Sequence, residues 1–278
     1  MTTLEFTTAS FAVAATAGFL GSLTGLGGGV VLTPVLTLLF GVDFRYAAGA
    51  SLVSVIATSS GAASAFVREG FTNLRIGMFL EVATTSGAII GALVTSSVPK
   101  TALALILGIV LLHSAWLSMR GVEEPANPQV TDRLAQRLRL DSAYPTAAGL
   151  RPYHVHRIGG GFVLMFIAGI LSGLLGIGSG SLKVIAMDRV MRIPFKVSAT
   201  TSNFMIGVTA AASAGVYLNK GFVDPFLAMP VMLGVLAGSL AGARFLAGAS
   251  VRALRILFSA LVAALAIELI ANALRGKI

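Results

Sequence analysis

The sequence has few charged residues and no cysteine. Asp, Glu, Lys and Arg make up 11% of its 278 residues, whereas a soluble domain carries about a quarter. Without cysteine there can be no disulfide, thiolate metal site or cysteine nucleophile. The sequence also lacks a cluster of histidines and carboxylates, a Walker-type glycine-lysine motif and a nucleophile elbow. We therefore expect neither an enzyme nor a bound cofactor or metal.

Apolar residues dominate instead, at 56% of the chain. Several runs are long enough to cross a lipid bilayer, which takes about 20 residues per helix. No lysine or arginine precedes Arg45, so the first run lacks the basic start of a signal peptide, and the mature protein is expected to begin near Met1. The sequence predicts an all-α polytopic protein of the plasma (inner) membrane of a bacterium or archaeon.

The formal net charge is +9. In a membrane protein, an excess of lysine and arginine marks the loops that stay in the cytoplasm. This interpretation is favoured over nucleic-acid binding, and nucleic acid is not expected as a partner.

An internal repeat divides the chain. Sliding the sequence by 151 positions aligns the glycine run at 25–29 with the run at 176–180, and no gap is needed further on. The later matches include Phe44 with Phe195, Ser51 with Ser202, Thr58 with Thr209, Gly87 with Gly238 and Gly91-Ala92 with Gly242-Ala243. We predict a first transmembrane repeat at 1–119, a cytoplasmic basic loop at 120–157 and a second repeat at 158–278.

Each half contains five apolar segments, and the glycine run separates the first two, which are short. The segments are 9–24, 28–41, 45–67, 74–98 and 101–119 in the first half, and 158–175, 178–191, 196–219, 222–246 and 250–273 in the second. The short pair is either two crossings or a re-entrant hairpin. Both options give an odd number of crossings per half, and hence two repeats of inverted topology with eight to ten segments overall.

An alternative joins each short pair into one crossing, which gives four spans per half and parallel repeats. With the central loop in the cytoplasm, the inverted arrangement places most lysine and arginine side chains inside, and the parallel arrangement divides them more evenly. The positive-inside rule therefore favours inversion.

The glycine breaks are the predicted binding site. Backbone groups freed by a break inside hydrocarbon need partners, so the break has to face protein, water or substrate. The helix that follows each break presents an N-terminus that favours an anion, and inverted repeats bring two such N-termini together. Alternatively, the glycines only allow close helix packing. The candidate residues are Gly27, Gly28, Gly29, Gly178, Ser179, Gly180 and Ser181.

Polar side chains add to this site. Lys183 lies in an apolar setting inside the second short helix, where a cation is costly unless it faces water or an anion; snorkelling to the membrane surface is the alternative. Hydroxyl and amide groups of the third segments can donate hydrogen bonds to an oxyanion, or instead bond to neighbouring helices or their own helix. These candidates are Ser51, Ser54 and Thr58 in the first half and Thr201, Ser202 and Asn203 in the second.

Two further features of the sequence lead to separate predictions. Glu81 lies about seven residues into its segment, and we predict a role in coupling transport to a proton; an interfacial position near Arg75 is the alternative. The central loop is expected to contain a short surface helix within 131–141. Its histidines, His154 and His156, are expected to be solvated rather than to bind a metal.

Several motifs resemble the TauE/SafE family, also called toluene sulfonate uptake permeases or sulfite exporters. Gly173–Gly180, Lys183–Met187 and Ile193–Thr209 resemble the second half of that family, and Gly21–Gly29 resembles the first half. The resemblance covers nearly the whole chain. It implies membrane transport of small sulfur-containing anions, usually as export driven by ion gradients. Ile185 stands where the family more often has proline, and Ser179 where glycine is commoner.

The sequence thus predicts a secondary transporter that exports small sulfur-containing oxyanions, such as sulfite or organosulfonates, by alternating access. Its expected partners are the small anion, the lipid bilayer and a coupling proton or ion, and a homo-oligomer is left open. A passive anion channel of the same architecture is one alternative. A membrane-embedded enzyme or scaffold, with its function in loop 120–157, is the other.

Overall fold

The computed structural model describes residues 3–24, 29–68, 70–119, 132–146, 149–245 and 251–277. The first half contains α1 (Thr3–Thr24), α2 (Gly29–Phe40), α3 (Phe44–Arg68), α4 (Leu74–Val94) and α5 (Lys100–Met119). The central loop forms α6 (Arg133–Arg137) and an antiparallel hairpin of β1 (Ser142–Thr146) and β2 (Gly149–Tyr153). The second half contains α7 (Ile158–Leu175), α8 (Gly180–Ile185), α9 (Phe195–Asn219), α10 (Pro225–Phe245) and α11 (Val251–Leu274). One π-helical turn, Ala186–Val190, continues α8.

Five helices of the described chain are long and apolar enough to cross a membrane. These spans are Thr3–Gly21, Leu74–Val94, Lys100–Leu117, Ile158–Leu175 and Pro225–Gly242. The prediction of an all-α polytopic membrane protein is confirmed. The division of the chain at 120 and 157 stays a prediction.

The first helix is longer than predicted. It has 22 residues, so the expectation that the first segment of the half is short is wrong. In its polar beginning, Thr7 and Thr8 donate their hydroxyl protons to the carbonyls of Thr3 and Leu4, four residues back. These bonds satisfy the hydroxyls within the helix, but the polar residues interrupt the apolar run that predicts the segment.

One other boundary also differs from prediction. Helix α4 ends at Val94, four residues before the predicted end of the segment at residue 98. Helix α10 begins at Pro225, within the predicted segment 222–246. The side chain of Asp224 accepts the Phe226 N–H at 2.9 Å, and proline suits the first position of a helix.

The elements of the two halves recur at the offset of the sequence repeat. Helices α2, α3, α4 and α5 correspond to α8, α9, α10 and α11. The corresponding first residues are Gly29 and Gly180, Phe44 and Phe195, Leu74 and Pro225, and Lys100 and Val251. The repeat seen in the sequence is therefore also a repeat of secondary structure.

Helices of one half pack against helices of the other. The pairs are α1 with α10, α4 with α7, α3 with α9 and α5 with α11. Glycine permits the closest approaches: a Cβ added at Gly18 would lie 2.3 Å from the Val235 carbonyl oxygen, and one at Gly169 would lie 2.2 Å from that of Thr84. These two contacts are counterparts at the repeat offset, so the first helix of each half packs in the same way against the fourth helix, α10 or α4, of the other half.

Each short second helix folds back along the first helix of its half. A Cβ added at Gly161, near the start of α7, would lie 2.4 Å from the Met191 sulfur, just beyond the π-helical turn. In the first half, the ring centroids of Phe6 in α1 and Phe40 at the end of α2 are 5.5 Å apart. Each pair is a hairpin, which is incompatible with joining it into a single crossing.

The central loop packs on the end of the bundle where α4 begins. The Asn73 side-chain amide donates to the Leu140 carbonyl at 3.0 Å and to the Tyr153 hydroxyl at 2.7 Å. Burial raises the pKa of Tyr153 to about 12. The predicted surface helix is α6, although it is short.

The two loop histidines are less solvated than expected. His154 Nδ1 lies 3.0 Å from an Asp141 carboxylate oxygen, and His156 Nε2 is buried. No group of three or more potential metal ligands occurs among the described residues.

An ion pair and several contacts to carbonyl groups connect the helices at the opposite end, where α4 finishes. Arg45 donates to the carbonyls of Thr95, Ser96 and Val98, and Asp43 pairs with Lys100. Partial burial alone would raise the pKa of Asp43, but hydrogen bonds from Lys100 and the Arg45 amide, with both positive charges, lower it.

Candidate functional site

The glycine break of the second half reverses the chain between α7 and α8. Gly176, Gly178 and Ser179 have φ of 71°, 69° and 47°, in the left-handed region that glycine enters without strain. For serine this backbone costs roughly 1–2 kcal/mol. The Ser179 hydroxyl is also buried and has no hydrogen-bond partner. The break thus holds a strained residue with an unsatisfied polar atom.

The same break lies against the third helices of both halves. A Cβ at Gly178 would lie 2.9 Å from Ile206 of α9 and 3.3 Å from Val55 of α3. Nearby, a Cβ at Gly207 would lie 2.3 Å from the Ser59 hydroxyl, so α3 and α9 approach closely here. The break is therefore positioned where the two halves meet.

The first break is only partly described. Gly27 and Gly28 lie outside the described residues, and so does the side chain of Ser181. Gly29 is the first residue of α2, and Gly180 is the first of α8.

Ser51 and Ser202 make matching hydrogen bonds. Ser51 Oγ donates to the Gly29 carbonyl at 2.9 Å, and Ser202 Oγ donates to the Gly180 carbonyl at 3.1 Å. Each bond fastens the start of a short helix to the long helix that follows it. This is the alternative in which the hydroxyl bonds to a neighbouring helix, and these two protons are not directed at an anion here.

The other hydroxyl candidates do not form one cluster. Ser54 donates to the Ala50 carbonyl and Thr58 to that of Ser54, both within α3. Thr201 accepts the Asn73 N–H at 3.1 Å, at the loop end of α4. The half-buried Asn203 lies two residues further along α9.

A buried acid and base do come together. The side chain of Lys183 is 0% exposed and that of Glu81 10%. Lys183 Nζ donates to Thr209 Oγ1 at 2.5 Å, and that hydroxyl donates to Glu81 Oε1 at 2.5 Å. Lys183 therefore does not snorkel, and Glu81 does not lie at the interface beside Arg75.

The carboxylate of Glu81 is unevenly satisfied. Its Oε1 also accepts a hydrogen bond from Thr85 at 2.9 Å. Its Oε2 is buried without a hydrogen-bond partner and lies 3.9 Å from Lys183 Nζ. We call Glu81, Thr85, Lys183 and Thr209 the buried cluster.

The two threonines of the buried cluster are not among the residues that the sequence singled out as a site. Thr209 carried a signal, because it is the repeat counterpart of Thr58. Thr85 lies four residues after Glu81 on the same helix face, which is a spacing that permits contact.

The comparisons with known proteins agree with one another. Residues 10–269 match the family model described as Sulfite exporter TauE/SafE. The "Probable membrane transporter protein YunE" of Bacillus subtilis (strain 168) is 28% identical over 82% of this chain and 84% of its own length. The "Probable membrane transporter protein YdhB" of the same strain is 28% identical over 82% and 85%. A "Probable membrane transporter protein" of Xylella fastidiosa (strain 9a5c) is 25% identical over 91% and 90%. No solved structure gives a significant match.

Proposed function

The chain belongs to the sulfite exporter TauE/SafE family of membrane transporters, and from that premise we propose that it exports small sulfur-containing oxyanions, such as sulfite or organosulfonates. Membership already implies a small substrate and a lipid environment.

The observation that carries the proposal is the buried ammonium of Lys183. It lies four residues after the strained Ser179, in the helix that begins at the break. A lysine with no exposed surface is costly inside a membrane unless it faces an anion or an aqueous cavity. In the described structure its opposite charge is Glu81, whose nearest oxygen is 3.9 Å away. This contact is long for an ion pair, and an anion with several oxygens would supply a better partner.

The class of anion follows from the donors at the break. The ammonium, the unpartnered Ser179 hydroxyl and the start of α8 are hydrogen-bond donors that lie within residues 179–183 of the chain. Sulfite and sulfonate groups present three oxygens, whereas a carboxylate presents two. We therefore propose selectivity for sulfur oxyanions over carboxylates. Gly178, Gly180 and Lys183 would contact the anion, and Ser51 and Ser202 would hold the short helices in place.

Inverted repeats and alternating access form part of the proposal. Helix α7 begins at the end of the bundle that carries the central loop. Helix α1 begins beside the end of α2, which leads to Asp43 at the opposite end. Corresponding helices thus start from opposite ends, which supports inversion. The Glu81–Lys183 contact joins the two halves and would change when they rock against each other.

We further propose that the central loop faces the cytoplasm of a cell whose plasma membrane contains the protein. Exposed basic side chains collect at the loop end of the bundle, as the positive-inside rule requires. They are Arg75, Arg133, Arg137, Arg139, Arg151, Arg157, Arg189, Arg192 and Lys196.

Counterflow in proteoliposomes tests the proposal. Vesicles loaded with unlabelled sulfite should transiently concentrate labelled sulfite from outside, because a carrier exchanges one anion for another. A channel of the same architecture would equilibrate the label without concentrating it. Shortening loop 120–157 should leave counterflow intact. Loss of counterflow in that variant would favour the alternative in which the loop carries the function. Absence of counterflow with sulfite and with small sulfonates would contradict the proposal.

A further inference from the structure

The hydrogen bonds of the buried cluster are incomplete on both sides of the contact between the halves. Glu81 belongs to the first half, and Lys183 and Thr209 belong to the second. Glu81 Oε1 accepts from two hydroxyls, while Oε2 is buried and accepts none. Among the described residues, Lys183 donates one hydrogen bond, to Thr209, although an ammonium has three protons to donate. A carboxylate oxygen that lacks a donor therefore faces an ammonium that can donate more.

We infer that Glu81 is an internal competitor of the transported anion for the Lys183 ammonium, and that Glu81 takes up a proton whenever the anion displaces it. The inference rests on the proposed transport of a sulfur oxyanion. It adds that one proton crosses the membrane with each monovalent anion, in the same direction.

The step balances in atoms and charge. A proton from water on the entry side bonds to Glu81 Oε2, and the anion takes the place of that oxygen beside Lys183. On the other side the anion leaves, the proton returns to water there, and the carboxylate again faces the ammonium. One anion and one proton have crossed, and nothing else is consumed. Net flux then follows the sum of the anion and proton gradients, so a high internal concentration of the anion drives export when it outweighs an inward proton gradient.

Charge balance in the buried site requires the proton. When the site is empty, it contains one positive and one negative group. An anion added beside an ionised Glu81 would leave a second negative charge without a partner in a low-dielectric interior, which is strongly unfavourable. Protonation of Glu81 restores neutrality with the anion bound.

The other described ionisable side chains of α7, α9 and the turn after α8 do not supply a second positive charge beside Glu81. Helix α7, which packs on α4, contains no ionisable side chain. On α9, Lys196 lies over the Phe71 ring at the loop end, and the Tyr217 hydroxyl donates to the Leu174 carbonyl. Beyond α8, Asp188 pairs with Arg189 at 3.6 Å.

The contact between halves also predicts what happens without the carboxylate. Glutamine at position 81 resembles the protonated acid, so the anion-loaded site can still form and change sides. The empty site would then contain the Lys183 charge with no counter-charge, which disfavours the return of the empty carrier. Glu81→Gln should therefore permit exchange and abolish net, proton-driven movement.

The experiment uses full-length protein in proteoliposomes with labelled sulfite, and protein-free vesicles give the passive background. Wild-type protein should show counterflow. It should also accumulate sulfite when the outside is more acidic, up to about tenfold for one pH unit at one proton per anion. Glu81→Gln should keep counterflow and lose the accumulation. Glu268→Gln makes the same chemical change at an exposed position of α11 and should behave as wild type.

The outcomes separate the inference from the proposed function. Accumulation by Glu81→Gln equal to that of wild type would overturn the inference. The inference would also be overturned if the wild-type protein showed counterflow but did not accumulate sulfite under a pH gradient. That result would leave transport of sulfite in place. Absence of wild-type counterflow would refute the substrate class and the inference together.

Infrared difference spectra of the wild-type protein provide a second readout if Glu81→Gln does not fold. Adding sulfite at constant pH should produce the absorption of a protonated carboxyl group, and Glu81→Asp should shift that band. A spectrum without the band would overturn the inference.

Discussion

Replacing Thr209 by valine should destabilise the protein because this hydroxyl joins the two charges of the buried cluster. Thr209 Oγ1 accepts from Lys183 Nζ and donates to Glu81 Oε1, both at 2.5 Å. Valine has nearly the same shape but neither hydrogen bond. Hydrogen bonds to charged groups contribute about 1.5–3 kcal/mol, and an unsatisfied buried partner adds to the loss. We expect Thr209→Val to lower the free energy of unfolding by about 3 kcal/mol, which is the combined loss of the two hydrogen bonds.

The repeat supplies a matched control for this substitution. Thr58 is the counterpart of Thr209, and its hydroxyl bonds to carbonyls of its own helix. Thr58→Val should cost less than about 1 kcal/mol, because those carbonyls keep their helical N–H donors. Thr209→Ser, which retains the hydroxyl, should recover most of the loss.

Unfolding of the detergent-purified variants measures the difference. At roughly 2–4 °C of melting temperature per kcal/mol for a chain of about this size, Thr209→Val should melt well below Thr58→Val. Equal losses for the two variants would show that the hydroxyl does not bridge the charges, and the geometry of the buried cluster would then be wrong.

Two further substitutions test the packing of α4 on α7 and the end of the bundle where α4 finishes. Gly169→Ala should lower the melting temperature by several degrees, because the added Cβ would lie 2.2 Å from the backbone oxygen of Thr84. Gly159→Ala is the control, since a Cβ there meets open space and should not change the melting temperature. Equal melting temperatures of the two variants would contradict the close approach of α4 and α7. Because the pKa of Asp43 is lowered in the folded state, its ion pair stabilises the protein above the ordinary pKa of aspartate, and this contribution disappears as the pH falls through the lowered value. Asp43→Asn should therefore cost less than about 1 kcal/mol near neutral pH and nothing in strong acid; a loss that persists unchanged in acid would argue against this pair.

Helix positions are largely readable from this sequence. Long apolar runs, prolines and glycine runs mark where most helices begin and end, and the repeat transfers each assignment to the other half. The misses have physical reasons. The start of α1 is polar, and its threonine hydroxyls bond back to carbonyls of the same helix, so no apolar run marks these residues.

The buried cluster could be predicted only in part. The cost of a lysine in an apolar segment points to a special role for Lys183 from sequence alone. Its partners could not be identified, because Glu81 and Thr209 are far apart in the chain and meet only through the packing of α4 on α9. Likewise, spacing places Ser51 and Ser202 on a polar helix face but does not reveal that their protons bond to Gly29 and Gly180.

The central claim is that a sulfur oxyanion binds beside Lys183, and thermal stabilisation of the purified protein tests it most directly. A ligand that binds only the folded state stabilises it by about 2.7 kcal/mol at one hundred times its dissociation constant. Sulfite, thiosulfate and small sulfonates should raise the melting temperature of the wild type, and acetate should not.

The decisive comparison removes the ammonium without leaving an unpaired carboxylate. The double variant Lys183→Met with Glu81→Gln should fold and should not respond to any of these anions, whereas Lys277→Met, at an exposed position, should respond as the wild type does. Undiminished stabilisation of the double variant by sulfite would contradict the account and place the anion elsewhere.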